Sequence, residues 1–314
     1  MDLIINNFLI NRNMKKFAQF LCLALCSMLG LASCSNEDEI VESHPMKLHV
    51  KIKGLNIFQE EFAETRSTAS EAGVSYIEFA VFDSKEQKVF EKNQKSGDDD
   101  FGEIECILRS EKYHLVAVAH KGNSSYGNAT IVSPYRVELP STSIQETFSV
   151  VKELDLTSAS GTGTTDVEIQ INRVTSLLQI KSTEKQPSEV SKIRLTIGDA
   201  SKSAYTTCFF NPSNGFMSNF GTDGFYTMTK SIAHFADSYT DCMFDLLLPT
   251  SPCTMPVKIE ILDANDVVLD SYEIDNVSFQ TNRRTVATGS MYGVTWNGCL
   301  QFNIGWDTEW NITF

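Results

Sequence analysis

The fold class follows from a short stretch near the N-terminus, which reads Met46-Lys47-Leu48-His49-Val50-Lys51-Ile52. Every second residue is apolar, which is the period of a half-buried β-strand. Similar alternations recur along the rest of the chain, and no stretch of comparable length has sustained helical periodicity. Short strands at regular spacing favour an all-β chain, built as a sandwich or open barrel rather than from βα units.

A small polar run divides these strand candidates into two groups. Residues 158–165 lack a large side chain and predict a linker. We therefore expect an N-terminal β-sandwich domain over 46–157 and a C-terminal β-sandwich domain over 166–314, each of ordinary domain size. In the second group the alternation changes phase at Asn172-Arg173, which predicts a bulge or a bend between sheets.

The N-terminal segment carries an export signal. Lys15-Lys16 precedes the apolar run Phe17–Ala32, which is too short to span a bilayer. The run ends in Leu31-Ala32-Ser33-Cys34 and resembles the lipobox of bacterial lipoproteins, so residues 1–33 are predicted to be the signal peptide and Cys34 the lipidation site. The alternative is a secretory signal that happens to contain a cysteine. Either Met1 or Met14 is the start of translation.

An acidic segment follows the lipobox. Residues 34–45 include Ser35-Asn36-Glu37-Asp38-Glu39 and are predicted to act as a tether. Acidic residues directly after the cysteine resemble the signal that directs lipoproteins of Bacteroidetes to the cell surface. We therefore expect a protein held in the outer membrane by the lipid on Cys34 and exposed on the outside.

The charge balance and the motifs argue against several functions. Lys and Arg number 26 against 40 Asp and Glu, a net charge of −14, which repels nucleic acid and anionic lipid headgroups. No Walker lysine, HExxH or GxSxG motif is present. Asp98-Asp99-Asp100 lacks the ligand spacing of a calcium loop and reads as a hairpin tip. We predict no catalytic residue, no metal and no cofactor.

The cysteines beyond Cys34 do not form a disulfide framework. They are odd in number and lie in or beside apolar runs: Cys106, Cys208, Cys242, Cys253 and Cys299. The favoured interpretation is that each is a small buried hydrophobic residue, and the alternative is one disulfide such as Cys242–Cys253.

Three segments together resemble the fimbrillin family of Bacteroidetes. They are the run Val74–Asp83, the segment Asn172-Arg173-Val174 and the late stretch Asn282–Gly289. The family comprises stalk, tip and anchor subunits of cell-surface fimbriae. The resemblance implies two transthyretin-like β-sandwich domains of Greek-key type, other fimbrial subunits as partners, and a role in adhesion to a host or glycan ligand, with an anchor or accessory subunit favoured over the main stalk.

The resemblance also implies a way of assembling. In the polymerising subunits of the family a trypsin-like protease cuts in the loop after the first strand, and Arg66 occupies the matching place here. A partner's segment then takes the vacated position by β-strand addition. The alternative is an uncut anchor that keeps its lipid and first strand. Candidates for strand exchange are Met46, Leu48, Val50, Ile52, Trp310, Ile312 and Phe314.

The C-terminal stretch supports two further expectations. Leu300–Trp306 alternates and is predicted to be an internal strand, with Trp310–Phe314 either closing its edge or lying in a neighbouring subunit's groove. A second class of function is a glycan-binding lipoprotein of a polysaccharide-uptake system, in which Trp296, Trp306 or Trp310 would stack on sugar rings.

Overall fold

The described residues up to Arg173 form ten strands. The computed structural model describes residues 45–53, 74–122, 129–157, 163–218, 224–233 and 238–292, together with the backbone of 301–305. In the first half the strands are β1 Met46–Ile52, β2 Tyr76–Asp83, β3 Lys88–Lys95, β4 Glu103–Leu108, β5 Lys112–His120, β6 Thr130–Ser133, β7 Arg136–Pro140, β8 Thr147–Asp155, β9 Thr164–Ile169 and β10 Asn172–Arg173.

The described residues after Arg173 form ten more strands. They are β11 Ser176–Lys185, β12 Lys192–Gly198, β13 Ser203–Ala204, β14 Thr207–Phe210, β15 Gly224–Ser231, β16 Tyr239–Leu246, β17 Cys253–Leu262, β18 Val268–Phe279, β19 Arg284–Gly289 and β20 Gln301–Gly305. Apart from one 3-10 turn at Ser141–Ser143, the described residues contain no helix. The all-β prediction is confirmed, whereas the transthyretin-like assignment stays a prediction.

The first sandwich consists of two sheets. One has the order β4-β1-β9, in which β1 runs antiparallel to β4 and parallel to β9. The other has the order β10-β8-β5-β2-β3 and is antiparallel throughout. Inward-facing apolar side chains from both sheets form one buried core that contains Leu48, Phe79 and Leu115.

The second sandwich repeats the plan of the first. Its sheets have the orders β16-β11-β19-β20 and β13-β15-β12-β17-β18. Strand β11 runs antiparallel to β16 and parallel to β19, as β1 does to β4 and β9. In the facing sheets, β15-β12-β17-β18 corresponds to β3-β2-β5-β8. The repeat makes β11 the counterpart of β1.

A small third sheet joins the two halves. Its order is β14-β7-β6, so β14 from the second half pairs with β7 from the first. Apolar side chains of this sheet share one buried core with the side chains on the outward face of β2 and β5. This explains why β2 and β5 are apolar on both faces. Along β2, Phe79 packs in the first core and Phe82 in the second. Residues His44–Phe314 accordingly form one compact unit.

The chain passes from the first sandwich to the second later in the sequence than predicted. Strand β9 pairs with β1 along its whole length, and Ile171 is still buried in the first core. Val174 is buried in the second core, so the chain crosses at 172–174, where the change of phase predicted a bend. Residues 166–171 therefore complete the first sandwich, in contrast to the predicted boundary. The run of small residues at 158–165 predicts a polar connection, but it does not indicate which sheet the next strand joins.

The predicted strand near the C-terminus is present. Strand β20 lies within the predicted range Leu300–Trp306 and pairs antiparallel with β19. Among the described residues it forms the edge of its sheet. Trp310–Phe314 lies outside the described residues.

Candidate functional site

Strand β1 carries the first group of predicted exchange residues. Met46, Leu48, Val50 and Ile52 all point into the first core and are at most 3% exposed. Val50, for example, lies opposite Ile104 on β4 and Val167 on β9. The strand is therefore an integral part of the sandwich and not of the tether, as the alternation predicted.

The outer face of β1 carries three basic residues, and Lys53 directly after the strand adds a fourth; each lies beside a carboxylate of a neighbouring strand. The shortest nitrogen–oxygen separations are 2.8 Å for Lys47–Glu105, 2.9 Å for His49–Asp166, 2.6 Å for Lys51–Glu103 and 3.9 Å for Lys53–Glu168. The cations belong to β1 and to the residue that follows it, and the carboxylates belong to β4 and β9. The sheet is thus held on its outer face by complementary charge as well as on its inner face by apolar packing.

These contacts favour the charged forms of the groups that make them. The hydrogen bond to Asp166 raises the pKa of His49, opposed by burial and helped by a weaker contact with Glu103. The hydrogen bond between Lys51 and Glu103 raises the pKa of the lysine and lowers that of the carboxyl. Because these side chains are largely exposed, each pair alone contributes little to stability, and salt weakens it further.

The position of β1 determines what its departure would leave behind. It is the central strand of its three-stranded sheet, so β4 and β9 would each present an unpaired backbone edge. Between them would lie an apolar floor formed by residues such as Phe79 and Leu115. This arrangement is the geometry that β-strand addition requires. We call it the β1 slot, defined by β4, β9 and this floor.

The remaining predicted site residues lie outside the described residues. They are Cys34, Arg66, Trp310, Ile312, Phe314 and the two other tryptophans, Trp296 and Trp306. Lipidation at Cys34, cleavage after Arg66 and sugar stacking by the tryptophans therefore stay predictions.

A buried ionic network was not identified from the sequence. Arg173 on β10 donates hydrogen bonds of 2.7 and 3.1 Å to one oxygen of Glu146 and one of 2.7 Å to the Oδ1 of Asn282. Both charged side chains are about 95% buried, with exposed fractions of 5% and 6%. Asn282 belongs to the second half, so this network ties the crossing point to the turn before β19. The sequence pattern gives no sign that the segments at 172–174 and 282–289 meet, and the structure brings them into contact through Arg173 and Asn282.

A second buried pair lies in the first sandwich. The Nε2 of His120 is 3.0 Å from an oxygen of Glu78, and both side chains are almost fully buried. The other carboxyl oxygen, Oε2, has no hydrogen-bond partner among the described residues. Desolvation raises the pKa of Glu78, although the contact with His120 opposes the shift. The sequence signal was a single carboxylate inside the apolar run Tyr76–Phe82.

Three of the four described cysteines, Cys106, Cys208 and Cys242, are buried among apolar residues as predicted, whereas Cys253 is partly exposed. Cys106, Cys208, Cys242 and Cys253 are all free, so the alternative disulfide Cys242–Cys253 is absent. Burial raises the pKa of the Cys208 thiol to about 12 and that of Cys242 to about 11, which keeps both protonated. Cys299 lies outside the described residues.

Three other observations concern possible sites and segments. Within the described ranges, no cluster of three or more His, Cys, Asp or Glu side chains is arranged to hold a metal ion. Over the same ranges, no helix has the length and hydropathy needed to cross a membrane. Asp98-Asp99-Asp100 lies in the turn between β3 and β4, which belong to different sheets, so the prediction of a hairpin tip is wrong. In this turn Asp98 accepts a hydrogen bond from the backbone of Lys95, and Asp100 pairs with Lys92.

Comparison with known proteins gives matches in structure alone. No protein-family model matches the chain, and no curated protein matches its sequence. A candidate polysaccharide-binding protein of Bacteroides thetaiotaomicron superposes with a TM-score of 0.50 at 14% identity, covering 83% of this chain and 96% of that one. A candidate adhesin of Bacteroides ovatus gives 0.47 at 14% identity, with coverage of 87% and 96%.

A third similar structure is the fimbrial anchor protein Mfa2 of Porphyromonas gingivalis. Its TM-score is 0.45 at 10% identity, and the superposition covers 84% of this chain and 98% of that one. The structural neighbours thus include fimbrial proteins and candidate adhesins of Bacteroidetes, all at low sequence identity. What the chain shares with the Bacteroides thetaiotaomicron protein is its all-β fold.

Proposed function

We propose that this protein is a non-catalytic subunit or anchor of a surface fimbrium, which joins other fimbrial subunits by β-strand addition and supports adhesion. The observation that carries the proposal is the position of β1 at the centre of the sheet β4-β1-β9. The names of the structural neighbours, which include a fimbrial anchor, a fimbrial assembly protein and candidate adhesins, agree with this role. The partners are other fimbrial subunits, and the adhesion ligand is a host surface or a glycan.

The proposal places the protein on the outer membrane through a lipid at Cys34. Two acyl chains give stable anchoring, whereas an acidic body has no affinity for anionic lipid headgroups. Replacement of Cys34 by Ala is expected to abolish incorporation of a labelled fatty-acid analogue. Cys106→Ala is the matched control. It also removes one cysteine, but Cys106 is buried in the folded unit and is not the predicted lipidation site, so the label should be unchanged. Label that persists in Cys34→Ala would refute the anchor.

The proposal distinguishes two end states of the subunit. An anchor keeps its lipid and β1, whereas a polymerising subunit is cut after Arg66 and loses both. Mass spectrometry of the protein from its native membrane separates them, since a lipidated Cys34 and an N-terminus at Ser67 exclude each other. Arg66→Ala should change nothing in the first state and should block assembly in the second, with Arg109→Ala as the matched control.

Assembly itself is tested by copurification from cells that express the whole fimbrial system. We expect the protein to be recovered in high-molecular-weight ladders with other fimbrial subunits. A protein that is always recovered as a monomer, and that is retained on a polysaccharide gel instead, would contradict the fimbrial role in favour of the glycan-binding alternative.

A further inference from the structure

The outer rim of the β1 slot is acidic on both sides. Its carboxylates come from both strands that flank β1: Glu103 and Glu105 from β4, and Asp166 and Glu168 from β9. We infer that this slot selects its occupant by charge and accepts an extended segment whose outward residues are Lys, Arg or His. The inference rests on the proposed function, because it applies only if β1 can be replaced.

The geometry of the occupied slot supports this selection. The cations of β1 are evenly spaced on alternate residues, and His49 lies within 2.9 Å of Asp166 and 3.5 Å of Glu103. It therefore bridges the two flanking strands. Once β1 leaves, β4 and β9 are separated by two strand spacings, about 10 Å, which is close to the screening length at moderate salt. Carboxylates on the two edges would then repel one another unless an occupant supplied cations.

The corresponding position in the second sandwich has only one such cation. On β11 two of the residues equivalent to the cations of β1, Leu177 and Gln179, are buried and uncharged, and only Lys181 is basic, opposite Asp241 on β16. Gln179 forms hydrogen bonds with one charged side chain on each flanking strand: it donates to Asp241 at 2.7 Å and accepts from Arg284 at 3.3 Å. An unbroken run of cations on alternate residues, with carboxylates on both flanking strands, is therefore a property of the β1 slot and not of the repeated fold.

The charge pattern also disfavours one candidate occupant of the slot. The C-terminal stretch 306–314 has the required apolar alternation in Trp310, Ile312 and Phe314, but it contains no Lys, Arg or His. Its polar positions include Asp307 and Glu309, which would face the acidic rim. A second copy of this chain donating its C-terminus is therefore disfavoured. The occupant we infer is a segment of a different chain, with apolar residues alternating with basic ones, parallel to β9 and antiparallel to β4.

The test uses the full chain with a specific protease site introduced between residues 54 and 73, so that one cut separates β1 from the rest. After cleavage and gentle warming, the protein is mixed with one of three labelled peptides. The first has the sequence of residues 45–53, the second has glutamate in place of its Lys and His residues, and the third has the sequence of residues 306–314. Peptide retained after gel filtration is measured at low and at physiological salt.

We expect the first peptide to be retained at least about tenfold more than the other two at low salt, with a smaller advantage at higher salt. Equal retention of all three would leave strand exchange standing and overturn the selection by charge. If none of the peptides were retained, including the one with the sequence of β1, strand exchange would be contradicted. The assembly under the proposed function would then be contradicted as well.

A variant of the slot provides the reciprocal test. Glu103→Lys should reduce the advantage of the basic peptide at least threefold, because Glu103 contacts both Lys51 and His49. The control is Glu153→Lys on β8, an exposed carboxylate of the other sheet. An equal effect of both substitutions would show that net charge, and not the rim of the slot, governs the preference.

Discussion

Strands β1 and β11 occupy equivalent positions in the two sandwiches, yet they differ in how many of their faces are buried. Strand β1 has seven residues, is buried on one face and is exposed on the other. Strand β11 has ten residues, of which the first five are buried without alternation. Strand β1 is held by one layer of apolar packing, whereas the first half of β11 is enclosed on both sides. The exchange that we propose for β1 therefore rests on an outer face accessible to solvent, which the first half of β11 lacks.

Removal of each strand tests this difference most severely. Deleting residues 46–53 should cost several kcal/mol, since each of four buried side chains contributes about 1.5–3 kcal/mol. The bared slot should also promote self-association. We expect added β1 peptide to restore the melting temperature. Deleting residues 176–185 should abolish folding, with no rescue by the corresponding peptide. Unchanged melting and a clean monomer after the first deletion would argue against a structural β1.

The buried network at the crossing point should matter more than an exposed ion pair. Arg173→Met leaves Glu146 buried without its partner, which typically costs about 3–5 kcal/mol. The matched control is Arg194→Met, whose pair with Glu260 is partly exposed and should cost about 1 kcal/mol or less. Chemical denaturation measures both. Equal losses would mean that the network does not hold the two sandwiches together.

The buried Glu78 should make the first sandwich sensitive to pH. Because its pKa is raised in the folded state, its favourable contribution is complete below about pH 4.5 and is lost as the pH rises through the folded pKa. Glu78→Gln should therefore gain stability relative to the wild type at pH 7, by about 1–3 kcal/mol, but not at pH 4. In the second sandwich, Thr196 on β12, the strand that corresponds to β2, forms a neutral pair with Thr227 on β15, so Thr196→Val should show no such pH dependence.

The smallest expected effect concerns the outer face of β1. The pKa of His49 is raised, so its contribution is complete below the ordinary value of about 6.5 and is lost as the pH rises through the folded value. Release of β1 after cleavage should therefore be faster at pH 8 than at pH 6. His49→Gln should remove the difference, and a variant that kept it would assign the effect to another group.

The strands themselves could be predicted from local pattern, but their partners could not. The alternation at 46–52 identified β1 and its buried face, and the parity of Leu300–Trp306 identified β20. Nothing local indicated that β9 would pair with β1 rather than start the second sandwich, because that choice depends on which long-range edge remains open. The burial of both faces of Tyr76–Phe82 likewise depends on a third sheet that includes β14, more than 120 residues away in sequence.

The outer face of the candidate site was harder to predict than its inner face. Lysines on a half-buried strand usually indicate a solvated surface, so Lys47 and Lys51 gave no signal on their own. Their meaning depends on Glu103 and Glu105, which alternate with apolar residues on β4, and on the register that places them opposite β1. Charge complementarity between strands becomes visible only when the register is known.

The central claim is that β1 can detach while the rest of the molecule stays folded, and native-state hydrogen exchange of the full chain tests it most directly. Peptides that cover residues 46–52 and 176–185 would be compared under the same conditions. We predict that the β1 amides exchange through an opening of lower free energy than the β11 amides, and that the amides of β4 that face β1 open with it. Equal protection of β1 and β11, with exchange only through global unfolding, would contradict the account.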